Sequence, residues 1–407
     1  MDLLERKHGW KRCRLAMWSM AVLVMLCSIS AHAQSGPGEV SHLKGKDVFE
    51  EKGCAQCHSV FGSNGKGGPD LGKRKFYGTY LQLAARMWNH FPKMYRKMQA
   101  TDVAFQKVDA EEMQQLIAYL AFIRYRGKPG NEYKGQKLLK ERCMPCHRFG
   151  GLGGDIGPEF DKATDYISSI QFIGSMWNHG PEMMDVFFEH RIRRPVFKGH
   201  DIEHILAALR THISTTHVPV GAFLVGDPAL GKELYDRKGC VHCHAYRGEG
   251  GTLGPDFDDI DLNHSAVQIA GRMWNHGPEM WDIMMRENLT IPVFEKGEMA
   301  HVLAYVYSLK LEDRPGDPDK GRRIIDDKAC LDCHTLQGRG ATISKDLAKL
   351  EGLDSPLAMI AGMWNHAPGM REKQLEKKLK WPKLNARDMA DLYAYLYNAT
   401  HGLDEAE

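Results

Sequence analysis

The 407-residue sequence has no surplus of either charge: 54 Lys and Arg stand against 52 Asp and Glu. A nucleic-acid binder would carry a marked basic excess, so composition speaks against that class. Beyond the first 33 residues no apolar run is long enough to span a bilayer, which excludes a multi-span membrane protein. Alternating strand patterns are scarce, whereas apolar residues at helical spacing are common. Cysteine is sparse too. Ten in the whole chain are too few for a small disulfide scaffold. With 43% hydrophobic and 26% charged residues, the chain is ordinary for a folded protein, and collagen-like or disordered classes drop out.

Residues 1–33 read as a secretory signal. Lys7, Lys11, Arg12 and Arg14 form a basic stretch, Leu15 to Leu26 a short apolar core, and Ala31-His32-Ala33 a small-x-small cleavage site before Gln34. The rival reading is a retained membrane anchor, for which the run is short of the roughly 18–20 residues needed. Leu26 before Cys27 does not suit a lipoprotein signal. Cleavage would remove Cys13 and Cys27 and leave eight cysteines.

Those eight form one motif four times: Cys54-Ala55-Gln56-Cys57-His58, Cys143-Met144-Pro145-Cys146-His147, Cys240-Val241-His242-Cys243-His244 and Cys330-Leu331-Asp332-Cys333-His334. C-x-x-C-H is the attachment motif of haem c. Two thiols on one helical turn can add to the two vinyl groups of a porphyrin. The adjacent histidine, here His58, His147, His244 or His334, then meets the iron as proximal ligand. A zinc site would need two such pairs to converge. A thioredoxin-like motif would not recur four times with a following His.

The repeat extends beyond the motif. The first cysteines are 89, 97 and 90 residues apart, too long a period for a solenoid. Met-Trp-Asn-His begins 33 residues after the first cysteine in every copy, at Met87, Met176, Met273 and Met363, and ends at His90, His179, His276 and His366. A proline follows each His by two, and a second Met by four: Met94, Met183, Met280 and Met370. Loops tolerate insertions, so this fixed spacing implies that one object, a shared haem, ties the two ends together. Gly45, Gly135, Gly231 and Gly321 precede the motifs on an amphipathic turn. A helical run near Met113 to Leu120, Ile205 to Leu209, Val302 to Tyr307 and Met389 to Leu396 closes each copy. With Gly/Pro links between copies, the expected layout is four domains at 40–129, 130–224, 225–316 and 317–404. Each is a small domain whose modest core a haem would complete.

The layout resembles the class I cytochrome c domain, four times over. The resemblance implies an all-α fold of four tandem small helical domains, each around one covalent haem. It also implies that a proline after the haem motif offers its carbonyl to the proximal His. Pro69, Pro158 and Pro255 lie 11 residues after that His; the fourth copy has Lys345 instead. A second departure concerns the loop before the last helix, where such domains carry a distal Met. Here that loop holds none: Val103-Ala104-Phe105, Arg194-Pro195-Val196-Phe197, Ile291-Pro292-Val293-Phe294 and Trp381-Pro382-Lys383-Leu384. The distal candidates therefore come from the Met-Trp-Asn-His segment. In order they are the first Met (Met87, Met176, Met273, Met363), the His (His90, His179, His276, His366) and the second Met (Met94, Met183, Met280, Met370). First Met and His are three apart and share a helical face. The proline is expected to end one helix and start the next. The Trp is expected to pack on porphyrin, and the Asn to sit at a helix end.

Weaker signals are a histidine cluster (His190, His200, His204, His212, His217), basic runs at Lys93 to Lys97 and Lys373 to Lys380, and an acidic tail, Asp404 to Glu407. A metal at the histidines is a minor reading. The basic runs are solvated helix faces or a surface that steers an acidic redox partner. The expected function is a tetrahaem electron carrier, periplasmic or extracellular in a Gram-negative-type bacterium. No catalytic residue is required. Its partners would be redox proteins or membrane electron-transfer complexes. The rivals are a reductase or peroxidase with one open haem, the fourth copy being the natural candidate, and a self-associating filament.

Overall fold

The computed structural model describes residues 41–63, 65–73, 78–162, 168–212, 226–261 and 264–402. The expected signal, Cys13, Cys27, His217 and the acidic tail lie outside the described residues. The described part is helical, with strands of two residues each. No helix in it is long and apolar enough to cross a membrane. The all-α expectation holds.

Four stretches repeat one element order, and we number them as repeats 1–4. The first helices are His42–Glu51, Glu132–Arg142, Pro228–Arg237 and Pro318–Asp327. Ser41, Asn131, Asp227 and Asp317 cap them, each side chain accepting from a first-turn N–H. The last helices are Ala110–Arg126, Asp201–His212, Glu298–Leu309 and Ala386–His401. First and last helices cross at the glycines noted above. A Cβ at Gly45, Gly135, Gly231 or Gly321 would lie 1.8–2.1 Å from a last-helix carbonyl oxygen, so only glycine permits this backbone approach. Each crossing is fastened alike. The cap residue's own N–H donates to a last-helix side chain: Ser41 to Gln115 Oε1 (2.7 Å), Asn131 to His204 Nδ1 (2.9 Å), Asp227 to His301 Nδ1 (2.8 Å) and Asp317 to Asp391 Oδ1 (2.8 Å). His204 thus has a structural task. His200 bonds Glu203 at 3.2 Å, and no group of three metal-ligating side chains occurs among the described residues.

The middle helices carry the Met-Trp-Asn-His segment. They are capped by Thr79, Ser168, Ser265 and Ser355. Contrary to expectation, Tyr80–Ala100, Ala266–Arg286 and Pro356–Glu376 run unbroken through their prolines; only repeat 2 divides, into Ser169–Asn178 and Gly180–Glu189. A proline inside a helix leaves the carbonyl four residues back without its donor. In two repeats that oxygen is taken up by another repeat. Trp88 O accepts from Trp381 Nε1 at 3.1 Å, and Trp274 O from the Arg194 guanidinium at 3.2 Å.

The repeats pack in a nested order. One apolar core joins repeats 1 and 4, including Phe91, Met113, Met359 and Met389. Another joins repeats 2 and 3, including Phe172, Trp177, Val267 and Trp274. Tyr125 of repeat 1 and Tyr307 of repeat 3 meet edge to face at 5.0 Å. Val40–Glu407 form one compact unit.

Candidate haem sites and the contacts between repeats

In all four motifs the chain makes one helical turn from first cysteine to histidine. The His N–H donates to the first Cys carbonyl at 2.9 Å in repeats 1–3 and 3.0 Å in repeat 4. This brings two thiols and an imidazole onto one short turn. Burial pushes the first-cysteine thiols up, to about 11 at Cys54, Cys240 and Cys330 and about 12 at Cys143. Burial thus works against the activated thiolate that a redox motif needs.

Each proximal imidazole is oriented from behind. Nδ1 of His58, His147 and His244 lies 3.0, 2.8 and 3.1 Å from the carbonyl oxygens of Pro69, Pro158 and Pro255. In repeat 4 the non-proline Lys345 offers the same carbonyl to His334 at 2.8 Å. A backbone acceptor at Nδ1 fixes the tautomer and leaves Nε2 to bind a metal. The preceding residue is also in register: Gly68, Gly157, Gly254 and Ser344 donate N–H to the second Cys carbonyl at 2.7–2.9 Å. A Cβ at Gly157 or Gly254 would fall 2.4 or 2.5 Å from the imidazole. These glycines let the loop lie against the ring. Two thiols and one oriented imidazole per turn, with the first cysteines packed against the two apolar cores, fit a covalent haem c.

The distal candidates divide. The first Mets Met87 and Met363 line a small apolar void of about 10 Å³ between repeats 1 and 4, with Met113 and Met389 on its wall. The second Mets Met94, Met183, Met280 and Met370 pack partly buried against the two cores, as do Met176 and Met273. His90 and His366 have lowered pKa values, chiefly from burial and next from the proximal histidines His58 and His334. His179 and His276 point to carboxylates instead.

Trp and Asn of the segment have a role that the sequence reading missed. Every indole N–H donates to the loop before the last helix of the paired repeat: Trp88 to Pro382 O (2.8 Å), Trp364 to Gln106 O (3.1 Å), Trp177 to Pro292 O (2.7 Å) and Trp274 to Pro195 O (2.9 Å). The neighbouring Asn clasps the residue two further on. Asn89 gives its amide to Leu384 O (2.7 Å) and takes Leu384 N–H (3.0 Å). Asn365 does the same to Val108, Asn178 to Phe294 and Asn275 to Phe197. The Asn is therefore a two-point clamp between repeats. The only hint in the sequence was that those loops share a length and three of them a proline.

Residues 41–120 match the family model described as cytochrome C oxidase, cbb3-type, subunit III, and residues 318–400 the one described as cytochrome c. The chain carries cytochrome c domains. These imply covalently bound haem c and haem-based electron transfer. The two matched stretches are repeats 1 and 4, the members of one structural pair. No curated protein and no solved structure matches the chain.

Proposed function

We propose that the protein is a tetrahaem c-type cytochrome that relays electrons outside the cytoplasm and performs no catalysis of its own. The observation that carries this reading is the carbonyl bond to Nδ1 in all four motifs, Lys345 included. Repeats 2 and 3 repeat the arrangement of the two matched ones. Cys54 and Cys57, Cys143 and Cys146, Cys240 and Cys243, and Cys330 and Cys333 would hold the haems by thioether bonds. His58, His147, His244 and His334 would bind the irons from the proximal side. When bound, haem c supplies a one-electron iron couple.

The residues around it fix each imidazole, exclude water with the two apolar cores, and lock the repeats in pairs. Rigid pairing keeps donor and acceptor sites at a constant separation. The N-terminal segment is read as an export signal, and the partners as redox proteins or membrane electron-transfer complexes. A pyridine haemochrome assay on the purified protein should give four haems per chain, and Cys143→Ser/Cys146→Ser should give three. Fewer than four in the parent protein overturns the tetrahaem reading. Carbon monoxide should leave the reduced spectrum unchanged; a shift worth one haem would favour an enzyme.

A further inference from the structure

The Met-Trp-Asn-His segment recurs, yet its four histidines do not share one environment. In repeats 2 and 3 the ring turns to a carboxylate three residues on. His179 Nδ1 lies 3.4 Å from Glu182, and His276 Nδ1 lies 3.3 Å from Glu279. These two histidine side chains are 61% and 67% exposed. In repeats 1 and 4 that carboxylate is replaced by Lys93 and Gly369. His366 instead meets its own proximal partner: the rings of His334 and His366 are 5.7 Å apart between centroids, edge to face. Two metal–imidazole bonds of about 2 Å each, plus the ring radii, give roughly that separation. His90, half-buried, has no carboxylate partner among the described residues.

The proximal side divides the same way. Phe160 stacks on His147 at 4.7 Å and Phe257 on His244 at 4.9 Å. Leu71 and Leu347 occupy those positions in repeats 1 and 4. Ligand environment and structural pairing therefore coincide.

We propose that the four sites form two ligand classes that follow the two repeat pairs. In repeats 1 and 4 the sixth ligand is His90 and His366. In repeats 2 and 3 it is a thioether of the same segment, Met176 or Met183 and Met273 or Met280. Glu182 and Glu279 are positioning residues that hold His179 and His276 away. This rests on the tetrahaem reading. Thioether ligation raises the potential of haem iron relative to imidazole. The pair 2/3 then holds electrons more tightly than the pair 1/4, and the chain has a downhill direction built into its pairing.

The test uses the oxidised holoprotein. The near-infrared thioether-to-ferric charge-transfer band should have the intensity of two haems out of four, and a redox titration should show two groups of two. His366→Ala should create one carbon monoxide-binding haem, whereas His179→Ala and His276→Ala should leave the visible spectrum unchanged. Should His366→Ala fail to accumulate, His366→Met should raise the near-infrared band by half of its original intensity. A band worth no haems or four, or carbon monoxide binding by His179→Ala, overturns the proposal. The haem count separates the two failures: four haems with the wrong band defeat the ligand split alone, and a short count defeats the relay.

Discussion

Removing the amide clamp of repeat 3 should open the pair 2/3 selectively. Asn275 makes two bonds to one residue of repeat 2, accepting Phe197 N–H at 3.0 Å and donating to Phe197 O at 2.8 Å. Phe197 is 7% exposed, so neither backbone group gains water when the amide is lost. A hydrogen bond contributes about 1 kcal/mol net, and losing one so that its buried backbone partner is orphaned costs about 1–3 kcal/mol. Because Asn275 itself is only half-buried, the lower part of that range applies, and Asn275→Ala should cost about 3 kcal/mol. Asn178→Ala breaks the counterpart bonds to Phe294, both 2.8 Å, and should cost a similar amount. Together they approach the whole stability of an ordinary domain, about 5–15 kcal/mol. Asn275→Asp is the sharper probe. It keeps an acceptor for Phe197 N–H but sets a carboxylate oxygen against Phe197 O, so it should be no better than alanine. The assay is a urea titration of the holoprotein followed by far-ultraviolet circular dichroism. A loss under about 0.5 kcal/mol for Asn275→Ala, or a wild-type midpoint for Asn275→Asp, would refute the clamp.

Other expectations follow from the same contacts. Gly231→Ala puts a Cβ 2.0 Å from His301 O, and should prevent the first and last helices of repeat 3 from crossing, read as loss of soluble holoprotein. Trp274→Phe should cost about 1–2 kcal/mol by orphaning Pro195 O, whereas Trp281→Phe should cost less, because the buried Trp281 Nε1 has no hydrogen-bond partner among the described residues. Burial alone would raise the Glu298 carboxyl, but Lys238 at 2.7 Å, the Glu295 N–H and Arg237 outweigh it and hold its pKa below the ordinary value. A depressed carboxylate stabilises the fold above its unfolded pKa, and that contribution is lost as pH falls through the folded value. Glu298→Gln should therefore weaken the protein at neutral pH and match it in acid, as thermal midpoints across pH would show.

The helix order and the carbonyl behind each motif histidine were legible because each is set by local sequence. The same locality explains what was not. Met-Trp-Asn-His invited a local account, with Trp on the porphyrin and Asn at a helix end. In fact Trp88 and Asn89 answer to Pro382 and Leu384, nearly 300 residues on. Proline was read as a break by its intrinsic preference. Tertiary donors such as Trp381 and Arg194 compensate for the missing helical bond, so the helix continues. His204 read only as one of a histidine cluster, and its task shows once its last helix meets the first one, as at His301 in repeat 3.

The nesting of repeat 2 with 3 inside 1 with 4 also sets an order of events in time. The inner contact Trp177–Pro292 spans 115 residues and the outer contact Trp88–Pro382 spans 294. Loop entropy makes the outer closure only about 0.8 kcal/mol harder. Synthesis makes it much later. At roughly 5–20 residues per second, repeat 1 waits about 15–60 s for the residues that will cover its indole and amide. Its interface is thus an adhesive surface in the newborn chain, and a truncated product that ends after repeat 3 would keep that surface bare. A cell that makes this protein has a reason to complete it as one piece.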